Sequence, residues 1–274
     1  MKRFLIATAA LVAALALGIP TAGAVDTPPQ YYVALGDSLA TGAQPAPSGQ
    51  LAHLRAANGT NRGYVDVLYS LAREQIPDLQ VRNFGCGGES TTSMIVGGFG
   101  FDYPCGYGNT SQLSEAVAFL EAHAGRIAFV TIDIGANDVF TGNAGAIAVN
   151  LPVILEQVRA AVGPGVPIVA MNYYDPFVAP IWFATHDLAA VAAQAAATAA
   201  LNDFLESIYA SAGVPVVDVE ATFGVSDLTL VDGVPLNVVR ACQWTWICTN
   251  GDIHANDAGY AVIADTFADL LLAP

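Results

Sequence analysis

The sequence predicts an α/β protein, a three-layer doubly wound domain with a mostly parallel five-stranded sheet and helices on both faces. Short apolar runs, too continuous for surface helices, alternate five times with longer stretches of helical periodicity. Alternation of this kind is typical of a parallel sheet covered by helices. The chain has no internal repeat, low-complexity linker or charge run that would mark a second domain.

The apolar runs are the predicted strands, and the stretches between them are the predicted helices. The expected strands are Tyr32–Leu35, Leu79–Phe84, Ile127–Ile134, Val166–Asn172 and Val214–Val219. The expected helices are Gly63–Glu74, Ser111–His123, Ala146–Val162, Thr185–Ser211 and Asn256–Leu272, the last with Asn256 as its N-cap. In the flavodoxin-like strand order 2-1-3-4-5, strands 2, 1 and 3 are neighbours. A ligand crevice is then expected outside their carboxyl ends.

The N-terminus has the pattern of a signal peptide, expected over residues 1–24. Positive charge, an apolar core and a small-residue cleavage site follow one another in Lys2–Arg3, Phe4–Gly18 and Ala22–Ala24. An uncleaved membrane anchor is the alternative, but the apolar run is shorter than the roughly 20 residues that span a bilayer. We expect cleavage near Ala24, one mature domain over residues 25–274, an extracellular or cell-wall location, and no further membrane span.

The charge balance excludes some classes of partner. The chain has 24 acidic and 9 basic residues, giving a formal net charge of −15. Nucleic-acid binding is disfavoured because it needs a basic surface that neutralises phosphates. Docking to anionic lipid headgroups is disfavoured for the same reason. The sequence does not predict an oligomeric state.

Four polar blocks occupy positions where a nucleophile and its partners would be expected. The blocks Gly36–Leu39, Asn83–Ser90 and Ile134–Asp138 end the first three strands, and Asp252–Tyr260 precedes the last helix. A serine placed where a buried strand turns into a helix faces free backbone N–H groups that can bind an oxyanion. By itself, Gly-Asp-Ser is equally typical of an ordinary turn. The other three blocks favour catalysis.

In order and spacing, these blocks resemble the SGNH hydrolases, the GDSL esterase and lipase family, over essentially the whole mature chain. The resemblance implies that Ser38 is the nucleophile and a first oxyanion donor, and that His254 is the general base. It also implies that Gly88 donates a backbone N–H and Asn137 a side-chain N–H to the oxyanion. Turn-forming roles for Gly88 and Asn137 are the alternatives. Neither a cofactor nor a metal is expected.

The choice of His254 depends on its surroundings in the sequence. Among the other histidines, His123 ends a predicted helix, and His53 and His186 have no accompanying motif. His254 precedes a helix start and is followed by Gly259-Tyr260, which accompanies the histidine in the family. We therefore expect His254 to be catalytic.

The residue that orients His254 is less clearly defined by the sequence. The family usually has Asp three residues before the histidine, but Gly251 stands there and Asp252 lies two residues before. In an extended loop, Asp252 would point toward a different side. Some family members use a main-chain carbonyl at this place. We therefore favour a carbonyl near Gly251 over Asp252 as the acceptor for the imidazole.

Four cysteines after an export signal predict disulfides rather than metal or redox chemistry. Three pairings are formally open. We favour Cys86 with Cys105 and Cys242 with Cys248, because each pair closes a short loop beside one of the polar blocks. A zinc site is disfavoured by the spacing of Cys242 and Cys248.

The substrate is only broadly indicated. Two aromatic segments, Phe99–Pro104 and Pro176–Phe183, are expected as loops that line an acyl pocket or pack over the core. The favoured interpretation is a secreted esterase or lipase acting on small-molecule or lipid esters. A carbohydrate O-acetylesterase is the enzymatic alternative. A catalytically silent surface or binding protein on the same scaffold is the alternative from a different functional class.

Overall fold

The fold is described from a computed structural model. It defines residues 29–45, 62–98, 105 and 107–273. The predicted signal peptide and the aromatic segment Phe99–Pro104 lie outside the described residues, as does His53.

A five-stranded sheet forms the centre of the fold. Its strands are β1 (Tyr31–Gly36), β2 (Gln80–Asn83), β3 (Ile127–Asp133), β4 (Ile168–Met171) and β5 (Val216–Val217). The strand order is β2-β1-β3-β4-β5, and every neighbouring pair is parallel. Strand β1, which lies between β2 and β3, is completely buried over Tyr32–Leu35. The predicted fold class and strand order are confirmed.

Helices surround the sheet. They are α1 (Tyr64–Gln75), α2 (Thr91–Val96), α3 (Gln112–Ala122), α4 (Ala136–Phe140), α5 (Ile147–Val162), α6 (Val178–Thr185), α7 (Leu188–Ser211), α8 (Val219–Phe223), α9 (Leu236–Trp244), α10 (Ile247–Asn250) and α11 (Asp257–Leu271). α1 packs against α11, and α3 packs against α5, which also contacts α2 and α7. A hairpin of β6 (Leu230–Val231) and β7 (Val234–Pro235) precedes α9.

The expected helix over Thr185–Ser211 is observed as α7, which begins at Leu188. It starts later than expected because His186 adopts a left-handed conformation (φ 51°) that ends the preceding helix α6. Asp187 then begins α7 by accepting the Ala189 N–H at 2.8 Å. The expected loop Pro176–Phe183 is wrong from Val178 onward, where the chain forms α6. Its apolar and aromatic composition indicated a loop that lines a pocket or packs over the core.

The region between β5 and α11 was not predicted. It contains α8, α9, α10 and the β6–β7 hairpin, and its longest element has nine residues. Elements of one to three turns hold too few apolar positions to establish a helical period. The last helix was predicted correctly, and Asn256 is its N-cap, accepting the Gly259 N–H at 3.0 Å.

Within the part of the chain that the structure describes, two helical segments are long and apolar enough to span a membrane by length and composition, Ala144–Val162 and Leu188–Ser211. The sequence analysis did not single out either segment as a candidate. Core helices of globular proteins meet the same criterion. The first of these segments places Leu151, Ile154 and Leu155 in the hydrophobic core.

The start of α11 packs closely on the end of α9. A Cβ added at Gly259 would overlap the Trp244 carbonyl oxygen, so glycine is required for this approach. The next residue, Tyr260, is completely buried, and its hydroxyl donates to the Ala43 carbonyl at 2.8 Å. These contacts hold the start of α11 against the segment that follows β1.

We expect Gly259→Ala to lower the stability of the protein, although alanine has the higher helix propensity. Overpacking costs about 1–3 kcal/mol, which exceeds the ~1 kcal/mol gained from propensity. Gly145→Ala is the matched control, since a Cβ there meets no atom within 4 Å. Thermal denaturation should show a clearly lower melting temperature for Gly259→Ala alone. Equal melting temperatures would contradict the packing argument.

Candidate active site

Ser38 lies in a tight turn directly after β1. The chain continues as successive turns, in which Thr41 N–H donates to the Asp37 carbonyl at 3.3 Å and Ala43 N–H to the Ser38 carbonyl at 3.0 Å. The sequence analysis expected a helix here, and within residues 38–45 no regular helix forms. The Asp37 side chain accepts the Leu39 N–H at 2.9 Å, which fixes the backbone on both sides of the half-buried serine.

The buried carboxyl groups of Asp37 and Asp133 lie beside the turn that contains Ser38. Gly36 pairs with Asp133 at the ends of β1 and β3, and a Cβ on Gly36 would overlap the Asp133 side chain. The Tyr64 hydroxyl donates to Asp133 at 2.6 Å. Burial, reinforced by the neighbouring Asp37, raises the pKa of Asp133 well above its ordinary value, and burial also raises the pKa of Asp37.

The second polar block forms a loop beside the turn that contains Ser38. Cys86 N–H donates to the Gly36 carbonyl at 3.0 Å, and Cys86 forms a disulfide with Cys105. Gly88 has a positive φ of 79°, a conformation that side chains disfavour. The next residue, Glu89, is buried, and burial raises its pKa to about 7.

Asn137 begins its helix next to both of these turns. It follows Gly135, which has a φ of 126°, and lies in the first turn of α4. Its Nδ2 donates to the Glu89 carbonyl at 2.9 Å, whereas its distance to Asp37 Oδ2 is 3.4 Å. One amide N–H is therefore held by the Gly88–Glu89 loop, and the other makes only a long contact beside Ser38.

His254 is oriented by Asp252. Asp252 Oδ1 lies 2.7 Å from His254 Nδ1 and also accepts the His254 backbone N–H at 2.9 Å. This geometry contradicts the preference for a carbonyl near Gly251. The loop is not extended, because Gly251 ends α10 in a left-handed conformation (φ 64°) and the Asp252 side chain folds back over its own backbone.

The histidine loop is fixed at several points. The Trp246 N–H donates to the His254 carbonyl at 3.0 Å, and the Tyr174 hydroxyl donates to the Ile253 carbonyl at 3.0 Å. The favoured second disulfide joins Cys242 in α9 to Cys248 in α10. These contacts limit the freedom of the loop, so the imidazole is held in one place.

Ser38, Asn137 and His254 line one cleft with a volume of about 300 Å³. Gly88 is not among its lining residues.

Of the other histidines, His123 caps α3, where Nδ1 lies 2.7 Å from the Phe119 carbonyl oxygen, and His186 ends α6.

The remaining wall of the cleft is mainly apolar. Its apolar and aromatic members are Leu39, Ala136, Val139, Phe140, Tyr173, Tyr174, Pro176, Phe177, Ala197, Leu201 and Ile253. Of the predicted aromatic segment, only Pro176 and Phe177 reach the cleft, while Trp182 is mostly buried and Phe183 is exposed. Sequence reasoning missed Tyr173 and Tyr174, although they follow the fourth strand as the other blocks follow the first three.

A polar cluster lies in the same wall. Asp175 is buried and accepts hydrogen bonds from Thr198 Oγ1 at 2.8 Å, Gln194 Nε2 at 3.0 Å and the Phe177 N–H at 2.8 Å. Burial raises the pKa of this carboxyl. No group of three or more histidine, cysteine or acidic side chains among the described residues could hold a metal ion.

Solved structures similar to this chain share its fold. An alpha/beta hydrolase from the metagenome of Lake Arreo, Spain, is 19% identical over 89% of this chain and 95% of its own, with a TM-score of 0.52. A lipase from a goat rumen metagenome is 15% identical over 88% and 96%, also with a TM-score of 0.52. An acetylxylan esterase from Geobacillus stearothermophilus is 16% identical over 89% and 94%, with a TM-score of 0.51.

A search of curated protein sequences found no significant match. At family level, the GDSL-like lipase/acylhydrolase family matches residues 34–262, which include all four polar blocks and most of the chain. The protein therefore belongs to the GDSL-like lipase/acylhydrolase family of ester hydrolases.

Proposed function

We propose that this protein is a serine esterase or lipase that hydrolyses carboxylic esters through an acyl-enzyme intermediate. The observation that carries the proposal is the 2.7 Å contact between Asp252 and His254 in the cleft that also contains Ser38. An acceptor on Nδ1 leaves Nε2 as the basic nitrogen that faces a nucleophile. Asp252, His254 and Ser38 then form a catalytic triad.

In the proposed reaction, Ser38 Oγ attacks the acyl carbon while His254 takes the hydroxyl proton. The tetrahedral intermediate collapses when the bond to the alcohol oxygen breaks, and His254 returns its proton to that oxygen. Water then attacks the acyl-serine, losing a proton to His254, and the carboxylic acid leaves as Ser38 regains its hydroxyl proton. Asp252 stabilises the imidazolium that forms in both half-reactions.

The proposed oxyanion hole has three donors, the N–H groups of Ser38 and Gly88 and the side-chain amide of Asn137. Donors of this type are each worth about 3 kcal/mol of barrier because they act on charge that develops in the transition state. The turn at Ser38 and the 2.9 Å bond from Asn137 to the Glu89 carbonyl support this arrangement, since they bring the donor-bearing segments together.

The apolar wall of the cleft favours acyl groups with a hydrocarbon portion over acetylated sugars. The proposal therefore names small-molecule or lipid esters as substrates, with no cofactor and no nucleic-acid partner. We also propose secretion after cleavage near Ala24, a single mature domain over residues 25–274, and no membrane span in the mature chain. The two disulfides agree with an extracellular protein.

The first test is nucleophile removal. Ser38→Ala and His254→Ala should each reduce ester hydrolysis to below about a tenth of wild type without unfolding the protein, because the chemical step loses its nucleophile or its base. Ser207→Ala and His186→Ala are the matched controls outside the cleft.

p-Nitrophenyl esters of several chain lengths and an acetylated sugar serve as substrates. Full activity in Ser38→Ala would exclude the serine mechanism, and inactivity of the wild type on every ester would favour a silent binding protein.

Asp252→Asn tests the orienting group. The amide favours the wrong imidazole tautomer, so kcat should fall by up to about 10⁴-fold, as in serine proteases. Asp257→Asn is the control, since Asp257 pairs with Arg62 at the surface, 2.9 Å away. A fall of kcat for Asp252→Asn within about tenfold would instead support a backbone acceptor.

Asn137→Ala tests the oxyanion hole. Its hydrogen bond strengthens as charge develops, so kcat should fall by about 10²–10³-fold with little change in KM. Asn150→Ala is the control, because its amide donates to Thr92 Oγ1 at 3.0 Å and is not part of the cleft. An increase confined to KM would make Asn137 a substrate-binding residue.

A further inference from the structure

The completely buried side chain of Gln112 connects two separate turns of the site. Gln112 is the first residue of α3. Its Oε1 accepts the Gly36 N–H at 2.8 Å, and its Nε2 donates to the Gly36 carbonyl at 2.9 Å. The same Nε2 donates to Glu89 Oε2 at 3.0 Å. Both polar atoms of this amide therefore bond to β1, the strand before Ser38, and to the loop of residues 85–89, here called the oxyanion loop.

Both partners of Gln112 are adjacent to catalytic groups. Gly36 is the last residue of β1, two residues before Ser38. Glu89 follows Gly88, and its carbonyl accepts the Asn137 amide at 2.9 Å. A displacement of Gln112 would therefore change the position of the serine and of the proposed donors relative to each other.

The oxyanion loop needs such a connection because its own backbone is permissive. It contains glycine at positions 85, 87 and 88, and glycine restricts the backbone least of all residues. Besides Gln112, the loop is held by the Cys86–Cys105 disulfide and by the Cys86 N–H bond to the Gly36 carbonyl. Gln112 and Asn137 both bond to Glu89, the residue directly after Gly88, from α3 and α4.

We propose that Gln112 is a positioning residue for catalysis, which sets the distance between Ser38 and the oxyanion donors of Gly88 and Asn137. The proposal rests on the serine mechanism proposed above. Glutamine is suited to this role because one planar amide accepts from the N–H and donates to the carbonyl of the same residue, Gly36, while also donating to a carboxyl group. Glutamate at this position would lose the donor and would face the Glu89 carboxyl.

The test compares Gln112→Met and Gln112→Glu with wild type on a p-nitrophenyl ester. Serines that react with a fluorophosphonate are counted, so that kcat refers to folded sites only. Misplacement of catalytic groups by about 1 Å can cost on the order of a hundredfold in rate. We expect kcat per reactive serine to fall by about 10–100-fold, with KM changed less than about threefold.

Asn237→Leu is the control for loss of a buried amide. Asn237 is also buried, donates to the Val225 carbonyl at 2.9 Å and accepts the Val238 N–H at 2.8 Å, outside the cleft. Its loss should lower the melting temperature without changing kcat per reactive serine. An equal fall of kcat in Asn237→Leu and the Gln112 variants would reduce Gln112 to a structural role.

Glu89→Met provides a second test if the Gln112 variants do not fold. It removes the bond to Gln112 and leaves the Gly36 contacts in place, so kcat should again fall at nearly constant KM. Wild-type kcat in a folded Glu89→Met or Gln112→Met variant, together with an inactive Ser38→Ala, would overturn the positioning role alone. Activity in Ser38→Ala would overturn the serine mechanism and the positioning role with it.

Discussion

The parallel pairing of β1 with β2 on one side and β3 on the other is the constraint on which the site depends. Parallel strands end at the same edge of a sheet, so the turns that follow them meet there. Ser38 follows β1, Gly88 lies beyond β2, and Asn137 lies beyond β3. The burial of β1 between two neighbours fixes this edge, because a shift in register would move its apolar residues out of the core.

Buried polar groups then fix the turns relative to one another. Asp133 pairs with Gly36 from β3, Gln112 bonds to both the N–H and the carbonyl of Gly36, and Asn137 donates to the carbonyl of Glu89. A buried polar group without a partner costs about 1–3 kcal/mol, so alternative arrangements of these turns are penalised. Glu89, Asp37 and Asp133 are all buried, and burial raises the pKa of each carboxyl.

His254 is not positioned by the end of a strand. It lies on the loop between α10 and α11, which is held by the Cys242–Cys248 disulfide and by the close approach of Gly259 to the Trp244 carbonyl. The loop is therefore positioned by packing of the last helices on the segment after β1. Asp252 could not be assigned from its distance to His254 along the sequence, because the left-handed Gly251 turns the backbone there and Asp252 bonds back to the His254 N–H.

The sequence by itself predicted the strands, the four polar blocks and a preference among three cysteine pairings, because apolar periodicity and residue type are local properties. The strand order followed from the flavodoxin-like fold class that this alternation indicates. Only the tertiary structure decided that Asp252 contacts His254, that Val178–Thr185 is a helix, that Tyr173 and Asp175 line the cleft, and that Gln112 bonds to Gly36. These outcomes depend on backbone turns of one or two residues and on contacts such as that between Gln112 and Gly36, 76 residues apart. No local pattern records where such distant side chains meet, since chain packing alone brings them together.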